Sequence, residues 1–139
     1  MRIGKWNFVA GSIGLVLAGI GGALLGATFN DNSLKDGYHM LTEARFYLRE
    51  GHSHGMPMAM LNLIFGLYVD RLTLSALWKK IGSIGALLAF FLPIGLAAQG
   101  AAGAPANFPP IGMIGVLGFF AATITLTVGA LKFKTQATA

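Results

Sequence analysis

Cysteine is absent from the sequence, which excludes disulfides, thiolate metal sites, thioether-linked cofactors and cysteine nucleophiles together. Charge is almost as scarce. Only 11% of the residues are Asp, Glu, Lys or Arg, and no acidic residue follows Asp70, which argues against a proton-relay transporter or a carboxylate-based hydrolase. No phosphate-binding loop is present, because the glycines from Gly19 to Gly22 lie inside an apolar run with no Lys-Ser/Thr after them. The net charge of +5 does not point to nucleic acid, since the basic residues sit at the ends of apolar stretches, where they set membrane orientation.

Apolar sequence is what the chain does have. Hydrophobic residues make up 55% of its 139 positions, and the mean hydropathy is +0.67, which defines an integral membrane protein in contact with the lipid bilayer. The spans use up most of the length, so residues 1–139 form a single membrane domain. Four spans are expected, approximately 6–29, 52–70, 81–98 and 110–131. A helix needs about 20 apolar residues to cross the hydrocarbon, which the first, third and fourth supply outright. The second is short and reaches full length only by beginning near Gly51. The first run follows Arg2 and Lys5 but is too long for a cleaved secretory leader.

The expected fold is therefore all-α, a four-transmembrane-helix bundle. A short interfacial helix is expected in the first loop, where Thr42 to Glu50 lacks Gly and Pro. Arg2, Lys5, Arg71, Lys79, Lys80, Lys132 and Lys134 fall on one side, against Lys35, Arg45 and Arg49 on the other, which places both termini in the cytoplasm. The expected location is a bacterial inner membrane. Gly14, Ala18, Gly22 and Gly26 recur every fourth residue in the first span, and small residues also recur in the third and fourth. Such faces serve packing within the bundle, and three of them in so small a bundle favour a homo-oligomer.

Metal-binding chemistry concentrates at one place, His52-Ser-His-Gly-Met-Pro-Met-Ala-Met-Leu-Asn62, at the mouth of the second span. Imidazole suits iron porphyrins and copper, and thioether sulfur suits Cu(I) or an axial haem position. If helix runs through the cluster, His52, Met56 and Met60 share one stripe while His54, Met58 and Asn62 share the next, so the imidazoles diverge. If helix instead starts after His54 with Pro57 in its opening turn, His52 to Gly55 is flexible and both imidazoles converge on a small ion. Arg45 and Arg49, four residues apart, suit the two propionates of a haem, or pair locally with Glu43 and Glu50.

At these residues the chain resembles the styrene oxide isomerase group of small four-helix membrane proteins. The matching features are the length and span layout, Gly37-Tyr38, Gly51-His52-Ser53, and Lys80 to Ile84 opening the third span. The resemblance implies a homotrimer that holds haem b between subunits, with His52 as the iron ligand. A gapped His-x-x-Pro reading transfers that role to His54, with Pro57 as the matching proline. The family's epoxide-holding asparagine and tyrosine correspond to positions near Met58 or Met60 and near Leu96, and its third-span acid has no counterpart. Asn62 approximates the asparagine only with a shift of register. Three functions follow as expectations: a haem b protein for electron transfer or small-ligand binding, a haem-dependent epoxide isomerase-like enzyme, and a copper protein using His52, His54, Met56 and Met58.

Overall fold

The structure is a computed structural model that describes residues 2–28 and 42–132. Lys35, the Gly37-Tyr38 pair, Lys134 and the end of the first span at Phe29 lie outside the described residues. Within them the chain is helical, with no strand: α1 (Lys5–Ala27), α2 (Glu43–Tyr68), a 3-10 turn (Val69–Arg71), α3 (Ala76–Leu88), α4 (Phe91–Ala101) and α5 (Ile111–Leu131). Three rods are long and apolar enough to cross a bilayer: α1, α5 and the run Ala76–Ala101 that joins α3 and α4. A membrane helical bundle follows from them.

Two expectations are corrected here. The stretch from Thr42 to Glu50 is not a separate interfacial helix, and His52 to Gly55 is not a flexible lead-in. Thr42 caps one continuous 26-residue helix, its side-chain oxygen accepting the Arg45 N–H at 3.2 Å, and the helix runs through both glycines and Pro57 to Tyr68. Gly51 admits a close approach of α4, and Gly55 stands in ordinary contact with its neighbours. A Cβ on Gly51 would stand 2.8 Å from the Ala97 nitrogen, and one on Gly55 would meet Ala18 and Pro93 at 3.7 and 3.9 Å. Pro57 only deprives the Ser53 carbonyl of its helical donor, a loss that packed membrane helices tolerate.

The third span carries a break that the sequence reading lacked. Pro93 offers no N–H to Ala89, so the Ala89 carbonyl accepts from Leu92 at 3.1 Å and Phe90 bonds back to Leu87 at 3.2 Å. The chain tightens there, and α4 leaves α3 at a kink.

Close approach of small residues sets the order of the rods. α1 lies antiparallel along α2, with Gly4 against Gly66, Gly11 against Ala59 and Gly22 against His52. α2 packs on α4 and the lower part of α3, and α3 and α4 both pack on α5, leaving α1 and α5 on the two flanks. Gly85 and Gly118 let α3 and α5 nearly touch: a Cβ on either would lie 2.8 or 2.6 Å from the other's carbonyl oxygen. In the expected stripe of α1, Gly14, Ala18 and Gly22 face neighbours within the chain, whereas Gly26 has nothing within 4 Å among the described residues.

Both ends of α1 are closed by α2 and the turn after it. Asp70 accepts the Ile3 and Gly4 N–H groups at 3.1 and 3.4 Å, placing a carboxylate on the positive end of the helix. Arg45 donates to the Leu25 carbonyl at 2.5 Å and the Thr28 hydroxyl at 2.7 Å at the negative end. At the Asp70 end the bundle is solid, around Phe65, Val69, Ala86 and Ala122. Towards the Arg45 end it opens.

Candidate functional site

The opening is a groove of about 740 Å³ between α1, α2 and α4. Its walls are apolar, formed by Ile13, Leu17 and Leu24 of α1, Leu48 of α2, and Phe90, Pro93, Ile94 and Ala97 of α4. The kink at Pro93 shapes one wall, and the Phe90 ring lies over Gly14, where a Cβ would come within 2.7 Å of it. Among the described residues, three polar side chains line the groove, His52, with Arg45 and Thr28 at the mouth, and the charged one of them is the cation Arg45.

His52 projects from α2 onto the glycine pair of α1. A Cβ on Gly22 would stand 2.7 Å from its Cε1 and 3.1 Å from its Nε2. Gly22 is five residues before the end of α1, so the ring lies about 7–8 Å inside that end. Its Nδ1 is buried and has no hydrogen-bond partner among the described residues. Buried polar atoms are nearly always paired, so this imidazole stands out as a candidate for a role beyond packing.

His54 is built differently. Its Nδ1 lies 2.9 Å from the Glu50 carbonyl, an acceptor only, which fixes the proton on Nδ1 and leaves Nε2 as the lone-pair nitrogen. The side chain is 41% exposed and does not line the groove. The two imidazoles therefore stand apart on a continuous helix, as the helical alternative expects.

The other candidates separate too. Arg45 lines the groove, but Arg49 is exposed and pairs with Glu50 at 3.4 Å. Met56 and Met60 are exposed and Met58 is buried, and none of them lines the groove. Asn62 lies in a fully satisfied polar knot, away from the groove. It donates to the Met58 and Ala86 carbonyls at 3.0 and 2.6 Å and accepts from Asn7 at 3.0 Å. Asn7 also donates to the Ser83 carbonyl at 2.8 Å and accepts from the Ser83 hydroxyl. The knot ties α1, α2 and α3 together in the buried interior.

Sequence reasoning missed Phe90, Pro93 and Thr28 as groove residues, and Asn7 and Ser83 as partners of Asn62. An amide near the start of an apolar span was the available signal for Asn7. Gly21-Gly22 becomes a seat for His52 only once α1 and α2 are known to be antiparallel.

Among the described residues, no group of three or more His, Asp or Glu side chains is placed to share a metal ion. A single imidazole facing a large apolar space fits a cofactor that brings most of its own ligands, as a porphyrin does. Compared with known proteins, the chain matches no family model, no curated protein and no solved structure.

Proposed function

We propose that the protein is a haem b-binding integral membrane protein in which His52 supplies an axial nitrogen to the iron. The observation that supports this reading is a histidine lining an apolar groove of about 740 Å³, its buried Nδ1 without a hydrogen-bond partner among the described residues; the volume lies within the range of roughly 300–1,000 Å³ typical of cofactor sites. Arg45 is suited to one propionate at the mouth: its guanidinium has five N–H donors, and bonds to Leu25 and Thr28 leave others for a carboxylate. The apolar walls would keep water from the macrocycle, and the glycine seat would hold the imidazole plane. Bound there, haem supplies an iron centre for electron transfer or for a small ligand, according to what fills its sixth position.

Among the described residues, the groove's polar side chains are His52, Arg45 and Thr28 alone, a set suited to holding a porphyrin more than to orienting an epoxide. The copper reading loses support because His54 and Met56 lie outside the groove that His52 lines.

One observation supports a second arrangement for the same cofactor. The Glu50 carbonyl holds His54 as ligating histidines are usually held, with the non-ligating nitrogen bonded to an acceptor. An outward His54 would ligate haem at a contact between subunits, in the homotrimer that the family resemblance implies.

The membrane setting is part of the proposal. α2 accompanies α1 from one end to the other and closes both its termini, so a bilayer crossed by α1 is crossed by α2 as the fourth span. The test is the optical spectrum and iron content of protein purified from haem-replete cells. A Soret band with one iron per chain or fewer supports the reading, and colourless, iron-free protein refutes it. Copper in place of iron would transfer the function to the third expectation.

A further inference from the structure

The end of the bundle away from the groove gathers more cations than its one described carboxylate, Asp70, can balance. Arg2 and Lys5 open α1, Arg71 lies in the 3-10 turn, Lys79 and Lys80 lie in the first turns of α3, and Lys132 closes α5. Contacts bring these segments together: the Ile3 amide reaches Asp70, Leu72 packs at Gly129, and the Lys79 ammonium donates to the Asp70 carbonyl at 2.9 Å. The side-chain carboxylate of Asp70 is engaged by the Ile3 and Gly4 amides. Among the described residues, no ion pair includes any of these cations. Six cations against one carboxylate leave a net positive charge around this small bundle end, which an anion from outside would relieve.

The same end carries both tryptophans of the chain and a tyrosine. Trp6, Tyr68 and Trp78 are about half exposed, with the Lys5 ammonium 5.5 Å from the Trp6 ring and the Arg71 guanidinium 5.8 Å from the Tyr68 ring. Exposed Trp and Tyr at the ends of apolar helices sit at headgroup depth. Next to the cations in sequence stand exposed apolar side chains: Leu67 and Tyr68 before Arg71, Ile81 after Lys80, and Leu131 before Lys132. A partner for this surface must present negative charge at the cations and hydrocarbon just beyond them. Inorganic phosphate has the first property without the second.

We propose that this end is a binding surface for anionic phospholipids, with the phosphodiester headgroups on Lys80, Lys132 and Arg71 and the acyl chains against Ile81, Leu131 and Leu67. The site is independent of the cofactor reading, because it lies at the opposite end of the bundle and uses none of the groove residues. Its role is to neutralise the cation ring and hold α3 and α5 at the membrane surface.

Trp6 and Trp78 make the test direct. The full chain is reconstituted in mixed bilayers, and quenching of its fluorescence by brominated phosphatidylglycerol is compared with quenching by brominated phosphatidylcholine at equal mole fraction. The proposal predicts a preference for the anionic lipid of about fivefold for each cation a headgroup engages. Raised sodium chloride should shrink it. It should be largely lost in K80Q/K132Q and retained in R49Q, a change at the other end of the bundle. Equal quenching of the wild-type protein by the two lipids overturns the proposal whatever the variants do. A preference that survives K80Q/K132Q overturns it as well. Inorganic phosphate that abolishes the preference at an ionic strength where chloride does not would assign the cations to free phosphate instead.

Discussion

His52 and His54 stand two residues apart on α2, yet only one is left without a partner. His54 donates a hydrogen bond from Nδ1 to the Glu50 carbonyl, whereas the Nδ1 of His52 is buried with no partner among the described residues, against a glycine seat on another helix. The same contrast separates Asn62 from the site. Its amide is fully used in joining three helices, so its role is cohesion, and truncation there should act on stability. For Asn7→Ala and Asn62→Ala, each alone and combined, a double-mutant cycle of unfolding in mixed micelles should give a coupling near the ~0.6 kcal/mol average for polar contacts between membrane helices, and no more than ~1.7 kcal/mol. Additive losses would mean that the Asn7–Asn62 bond contributes nothing of its own. Residue chemistry was legible in the sequence where it was local: the His/Met cluster stood out, and His52 and Arg45 do line the groove. It was illegible where partners are remote. Asn62 meets Asn7 across 55 positions and Ala86 across 24, and no local pattern encodes such pairings.

Among the elements, apolar runs located α1, the run that joins α3 and α4, and α5, because such helices are written in composition alone, whereas α2 begins at Glu43, nine residues before the expected second span. Interruptions were harder. Gly51, Gly55 and Pro57 look like a break and are not one: α2 runs through all three, and its packing on α4, closest at Gly51, overrides local preference. Pro93 looks like one residue in an unbroken span and does break it, because the Ala89 carbonyl must find another donor. The small-residue stripes identified helix faces but not which glycines matter. Gly118→Val should drive a side chain into the Gly85 carbonyl and lower stability by about 1–3 kcal/mol. Gly26→Val, in open space, should stay within about 0.5 kcal/mol of wild type. Thermal unfolding of the two variants checks the pair, and equal losses would contradict the packing described here.

Viewed whole, the bundle is solid around Phe65 and Val69 at one end and hollow at the other, and the hollow end holds the imidazole and Arg45. No single span predicts this polarity. It arises because the kink at Pro93 shapes one wall of the groove and the small residues of α1 leave space beside Phe90. The asymmetry of Lys and Arg between the two ends predicts a direction in the membrane, with both termini in the cytoplasm. With no native cysteine to interfere, Ala106→Cys in the α4–α5 turn should be labelled from outside intact cells by an impermeant maleimide, and Lys132→Cys only after permeabilisation. The reverse pattern would invert the orientation. The central claim is that the groove imidazole holds the haem, and the most direct measurement is the Soret absorbance of His52→Ala and His54→Ala proteins purified side by side. The account predicts that His52→Ala loses the band while His54→Ala keeps it at wild-type intensity; loss in His54→Ala with an unchanged spectrum in His52→Ala would contradict it.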